Sequence, residues 1–216
     1  MKKYNTILFD LDGTIIKSDP GVLNSITHAM EKLSLPMPDV PGRLFIGPPL
    51  SFSFDTYCHV PAERIDDALK FYREYYSSTG IFECSVYDGV KELLQKLRDA
   101  RKTLLVASSK PEAYVKRILE SFDILKYFSF VGGADFEGLR SEKEEVLTYT
   151  LESAGITDTS DCLMVGDRKY DIVGAKFFGM DSAGVLYGYG TAEELKESGA
   201  TYIFDAPDGL LELLAE

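Results

Sequence analysis

From about residue 87 onward the sequence alternates short β-rich runs with amphipathic stretches, and this constrains the fold more than any other feature. Thr103–Ala107, Phe128–Gly132, Cys162–Val165, Asp181–Val185 and Tyr202–Phe204 read as strands. Asp88–Arg101, Glu112–Phe122, Glu142–Ala154, Tyr170–Phe178, Ala192–Ser198 and Asp208–Leu214 read as helices. Strands and helices in this rhythm form βαβ units, whose right-handed crossovers give a mostly parallel sheet with helices on its faces. Tyr4–Phe9 adds a strand at the start of the chain, ending in the acidic turn Asp10–Thr14. The expected class is α/β, with a Rossmann-like parallel-sheet core.

The stretch from about 17 to 83 breaks the rhythm. Asp19–Ser34 puts Val22, Ile26, Ala29, Met30 and Leu33 on one helical face, and Glu63–Ser77 does so with Ile65, Leu69, Tyr72 and Tyr76. Leu35–Pro49 holds five prolines and two glycines and reads as loop. Helices without strands, placed after the first strand, imply an inserted helical domain. The expected division is residues 1–16 and 84–216 for the α/β core and 17–83 for the insertion. A chain of 216 residues suits one domain with an insertion.

Composition narrows the chemistry. The net charge is −12 and the Lys and Arg residues are scattered, which disfavours a nucleic acid polymer or an anionic membrane as partner. Positive charge for an anionic substrate must then come from a metal or from particular Lys and Arg side chains. No apolar run approaches the ~20 residues of a membrane span, and no secretory leader pattern is present, so a cytoplasmic protein is expected. Three widely spaced cysteines and two histidines offer little for a zinc site or a Ser-His-Asp triad. Catalysis, if any, rests on carboxylates.

Four polar segments follow strands, where open α/β sheets bind ligands. In the first, Asp10-Leu11-Asp12-Gly13-Thr14, two carboxylates leave a buried run two residues apart. Such a pair often caps a turn; after an apolar strand it is better explained by a cation or phosphate group between the carboxylates. In the second, Gly166-Asp167-Arg168-Lys169-Tyr170-Asp171, Asp171 falls in the first turn of a helix, where negative charge suits the dipole. Four carboxylates at one sheet edge describe a site for Mg²⁺, a hard cation. In the third, Ser108 and Ser109 follow a strand and precede Pro111; they either cap the next helix or bind phosphate oxygens. In the fourth, Ser141 and Glu144 have capping-box spacing, which places Lys143 in a first helical turn. A cation there opposes the dipole unless an anion lies nearby.

This ordered set resembles the four motifs of the haloacid dehalogenase superfamily, over the whole chain. The insertion is similar to that family's helical cap. Phe45–Leu50, Tyr187-Gly188-Tyr189-Gly190 and Gly199–Leu214 resemble its phosphoglycolate phosphatase-like branch. The resemblance implies a Mg²⁺-dependent phosphatase acting on a small phosphorylated metabolite. It implies that Asp10 is the nucleophile, forming an aspartyl-phosphate, and that Asp12 is the general acid and base. Asp10, the Asp12 backbone carbonyl, Asp167 and Asp171 would serve the metal, and Ser108, Ser109 and Lys143 the phosphate. Arg43 in the insertion is a candidate for reading an anionic leaving group, or an exposed loop residue. Retention of Asp12, Asp167 and Asp171 argues against dehalogenation, which needs no metal. A 5′-nucleotidase, a pyrophosphatase and a phosphomutase share these residues. A response-regulator receiver has an adjacent acidic pair rather than Asp10-x-Asp12, and a silent phosphate-ester-binding protein would be expected to lose one of them. A monomer or weak dimer is expected.

Overall fold

Strand β1 (Thr6–Phe9) lies inside a six-stranded, all-parallel sheet and carries four buried residues in sequence. The computed structural model describes residues 3–137 and 139–214; the outermost bounds expected for the core, residues 1, 2, 215 and 216, lie outside the described residues. The chain divides into two units, Met1–Ile16 with Val86–Glu216, and Lys17–Ser85.

After β1 come β2 (Ile16–Lys17), α1 (Asp19–Lys32), α2 (Leu50–Phe52), α3 (Ile65–Tyr76) and β3 (Ser85–Val86). Then follow α4 (Val90–Asp99), β4 (Thr103–Pro111), α5 (Glu112–Ser121), β5 (Phe130–Ala134) and α6 (Lys143–Ser153). The chain continues through β6 (Cys162–Gly166), α7 (Lys169–Phe177), β7 (Asp181–Val185), α8 (Ala192–Ser198) and β8 (Tyr202–Phe204). It closes in a 3₁₀ segment, Pro207–Leu214, where the sequence suggested an α-helix.

The large sheet runs β5-β4-β1-β6-β7-β8. Strand alternation divides its residues between two faces. Leu8, Leu105, Ala107, Cys162 and Met164 pack under Val146, Leu147 and Leu151 of α6. Ile7, Phe9 and Leu163 face Leu97 of α4 and Leu210 and Leu213 of the last segment, around a small apolar cavity. Each fully buried Leu contributes on the order of 2 kcal/mol. Phe9 is in register with Val106 on one side and Val165 on the other, so the next residues of all three strands emerge at one edge. Strand order reverses at β1, the switch point where such sheets bind ligands.

Strand β5 starts two residues later than Phe128, because the Phe128 N–H is taken by the Leu125 carbonyl in a 3₁₀ turn. In the second unit, α1 buries Val22, Ile26, Ala29 and Met30, and α3 buries Ala68, Tyr72 and Tyr76. Ile65 and Leu69 are only half-buried; the core-facing stripe of α3 is centred on its tyrosines, with Phe54 edge-on to Tyr72. The loop after α1 includes a 3₁₀ turn, Gly42–Phe45, and a π turn, Ser53–Tyr57, extends α2. Strands β2 and β3 pair as a separate two-stranded sheet. No helix among the described residues is long and apolar enough to cross a membrane.

Candidate active site

The Asp10 N–H donates to the Val165 carbonyl at 2.9 Å, which continues the sheet one residue beyond β1. The chain then folds back on itself: the Leu11 carbonyl accepts from the N–H groups of Thr14, Ile15 and Ile16. Gly13 makes the turn with φ +83°, and a Cβ there would lie 2.2 Å from Asp167 Oδ2. Glycine is required on both counts.

Asp10, Asp167 and Asp171 each offer an oxygen within 4.8 Å of the others. Lys143, the first residue of α6, extends its buried side chain among them. Its Nζ donates to Asp10 Oδ1 at 2.9 Å and to the Ala107 carbonyl at 3.0 Å. It also lies 2.7 Å from Asp171 Oδ1, an ion pair outside hydrogen-bonding geometry. The helix start is capped one residue later than Ser141-x-x-Glu144 suggested: the Ser141 and Glu142 N–H groups both donate to Glu145 Oε2, at 2.8 and 3.0 Å. Glu145 and the two buried carboxylates offset the cost of a cation at a helix N-terminus.

Burial pushes the Asp10 carboxyl up to about 6, against the downward pull of Lys143 and with smaller upward contributions from Asp171 and Asp12. Burial, then Asp171 and Asp10, hold the Asp167 carboxyl well above its ordinary value, although the Tyr189 N–H and Arg168 oppose this. Burial would depress Lys143, but Asp10 and Asp171 outweigh it and hold the ammonium above its ordinary value. Three clustered carboxylates, two of them paired with one ammonium, concentrate negative charge that a divalent cation would neutralise. Their oxygens are the hard donors that magnesium prefers.

The family model for haloacid dehalogenase-like hydrolases matches residues 7–185, a span that contains every residue of this cluster. The chain belongs to that family. The 5′-nucleotidase of Pseudomonas aeruginosa is 38% identical over 202 residues, 93% of this chain and 90% of the relative. The phosphoglycolate phosphatase of Vibrio parahaemolyticus is 31% identical over 218 residues, 97% of this chain and 95% of the relative. Among solved structures, a predicted phosphatase from Clostridium acetobutylicum superposes with a TM-score of 0.91 at 40% identity, covering 99% of each chain.

In this haloacid dehalogenase-like hydrolase the carboxylate cluster does not take in every residue singled out from sequence. The Asp12 side chain stands outside the three-carboxylate group, bonded to Lys110 Nζ at 2.6 Å. Strand β4 runs on past the expected end at Ala107, so Ser108 and Ser109 lie within it; Ser108 is buried and Ser109 is exposed. Neither caps α5, whose N-cap is Pro111. Arg43 is exposed on the 3₁₀ turn of the second unit.

Sequence reasoning gave no role to Lys110, nor to the main chain of the loop after β7. That loop holds Asp167 directly: the Tyr189 N–H donates to Oδ2 at 2.7 Å. The Tyr187 hydroxyl donates to the Thr14 carbonyl at 3.0 Å, and burial raises its pKa, with Asp167 and Tyr87 adding to the effect. A Cβ at Gly188 would lie 2.3 Å from the Gly13 carbonyl and 2.4 Å from Asp167 Cβ. Gly188→Ala is therefore expected to cost about 1–3 kcal/mol through overpacking. A lowered urea midpoint at unchanged slope checks it; an unchanged midpoint would mean the loop yields freely.

Proposed function

We propose that this chain is a magnesium-dependent phosphatase of small phosphate monoesters, with Asp10 as nucleophile. The observation that carries the reading is the buried Asp10 carboxylate held by Lys143 beside Asp167 and Asp171 at the switch point of the sheet. Asp10, Asp167 and Asp171 would hold the cation, together with the backbone carbonyl of Asp12. Bound there, magnesium supplies the positive charge that lets a phosphate dianion approach a carboxylate.

The chain's own residues divide the reaction into two displacements. An Asp10 oxygen attacks phosphorus and the bond to the leaving oxygen breaks. That oxygen takes the electron pair and a proton from Asp12, and the phosphoryl group rests on Asp10. Asp12, now a carboxylate, takes a proton from water as the water oxygen attacks phosphorus. The bond to Asp10 breaks, inorganic phosphate leaves, and Asp10 is a carboxylate again. Lys143, bonded to Asp10, and Ser108, buried in β4, are the groups assigned to the transferred oxygens, where charge stabilisation matters most.

The relatives support an alcohol leaving group, either a nucleoside or a small hydroxy acid. The test is phosphate release from nucleoside 5′-monophosphates, phosphoglycolate, pyrophosphate, sugar phosphates and a generic aryl phosphate, with magnesium or with a chelator. Release that requires magnesium is expected, with a nucleotide or phosphoglycolate as best substrate. No release from any of them with magnesium present would refute the reading. Magnesium alone should also raise the unfolding temperature, by about 2.7 kcal/mol of stability at a hundred times its dissociation constant. No shift at saturating magnesium would argue against the metal site.

A further inference from the structure

We infer that Lys110 is a positioning residue for Asp12, selecting which of its two oxygens exchanges a proton with the leaving group; the inference rests on the phosphatase reading above. Two lysines share the carboxylates of the site. Lys143 serves Asp10 and Asp171, while Lys110 bonds Asp12 Oδ1 at 2.6 Å. The Lys110 and Asp12 side chains are 9% and 17% exposed, so this is not a solvated surface pair. A pair so far from water gains little stability once its desolvation is counted. Its geometric effect is more definite.

Lys110 sits where β4 leaves regular pairing. Ser108 is in register with Gly133 and Pro111 with Ala134, so two residues of β4 bulge out between them. Such irregularities re-aim side chains beside active sites. Here the bulge carries a lysine from β4 to an aspartate that follows β1, 98 positions away.

An ammonium has only donors, so Asp12 Oδ1 is fixed as an acceptor. When Asp12 carries a proton, that proton is on Oδ2, which meets no donor among the described residues. Oδ2 then gives its proton to the leaving oxygen as the bond to phosphorus breaks, and receives one from water in the second displacement. Without Lys110 the carboxyl group can rotate, either oxygen can carry the proton, and the acid is no longer aimed.

The test uses the full chain with saturating magnesium and a series of aryl phosphates from p-nitrophenyl to p-methoxyphenyl phosphate. A p-nitrophenolate leaves without help, whereas a p-methoxyphenolate needs the proton. Lys110→Met is expected to lose about a hundredfold in kcat/KM at the p-methoxyphenyl end and less than about tenfold at the p-nitrophenyl end, steepening the dependence on the leaving group. Lys110→Arg, which keeps charge and donors, should restore much of the poor-leaving-group rate. Unfolding midpoints of both variants separate this from loss of fold. An active parent with a parallel loss across the series, or no loss at all, overturns the inference alone. A parent silent on the whole series overturns the phosphatase reading and this inference with it.

Discussion

Asp10→Asn is expected to lower phosphate release by at least about a thousandfold, while leaving the metal-free protein at least as stable as the parent near neutral pH. The first half follows from chemistry: a carboxamide oxygen is a poor nucleophile. The second follows from the direction of the Asp10 shift. Its pKa rises from 3.8 to about 6 on folding, and burial is the leading cause. The folded state therefore holds this proton more tightly than the unfolded state. The stability linked to it is fully present below pH 3.8 and is lost as pH rises through about 6. The rise from 3.8 to about 6 corresponds to about 3 kcal/mol. Asn resembles the protonated form at every pH and can still accept from Lys143 through its Oδ1, so the variant keeps what the parent loses. Unfolding in chelator near pH 5 and near pH 8 should show the parent losing stability between the two and the variant losing less. A variant much less stable than the parent at the higher pH would mean that the ion pair with Lys143 outweighs the cost of burial. A site that is costly to the fold and needed for the reaction is the usual stability–function conflict.

The sheet was legible because each strand after residue 100 is a short apolar run set between amphipathic stretches. Asp10 and Asp167 announced themselves as acidic residues placed straight after such runs, and Asp171 and Lys143 as charges in first helical turns. The structure gathers Asp10, Asp167 and Asp171 and puts Lys143 among them. What sequence did not carry is contact that depends on reach. Lys110 lies beside two serines that drew attention as phosphate ligands, and its partner is fixed only by a bulge in β4. The loop after β7 stood out only as the motif Tyr187-Gly188-Tyr189-Gly190; that it acts on Asp167 through the Tyr189 N–H and a close approach at Gly188 is not readable from the motif. At the helix of Lys143 the spacing pointed to Ser141-x-x-Glu144 as the capping box. The chain uses Glu142 and Glu145, which makes Lys143 the first helical residue and keeps it in the first turn, as the Ser141 register also would have done. The tyrosines of α3 took the core from Ile65 and Leu69 because a stripe of aromatic and apolar residues can be centred on either edge.

Lys143→Met should have the opposite stability profile to Asp10→Asn and a comparable loss of activity. Met preserves most of the stem that Lys143 buries, so the change is chiefly the removal of charge. Without the ammonium, Asp10 and Asp171 face one another beside Asp167 with no cation among them. Breaking a buried pair on one side leaves an uncompensated charge and costs about 3–5 kcal/mol. The loss is not uniform with pH. Lys143 draws the Asp10 pKa down from where burial alone would hold it, so without it the carboxyl keeps its proton to higher pH. Below the ordinary carboxylate range Asp10 is neutral in both proteins and the difference is small. It opens as pH rises through about 6, where the parent ionises against Lys143 and the variant has no partner for the charge. Magnesium should narrow the gap, because a divalent cation among the carboxylates replaces the lost charge. Turnover should not recover with it if, as proposed, the ammonium also binds the transferred phosphoryl oxygens. Denaturation of parent and variant at pH values on either side of 6, with magnesium or chelator, checks this. A pH-independent loss that magnesium leaves untouched would make Lys143 a packing residue and detach it from the carboxylate cluster.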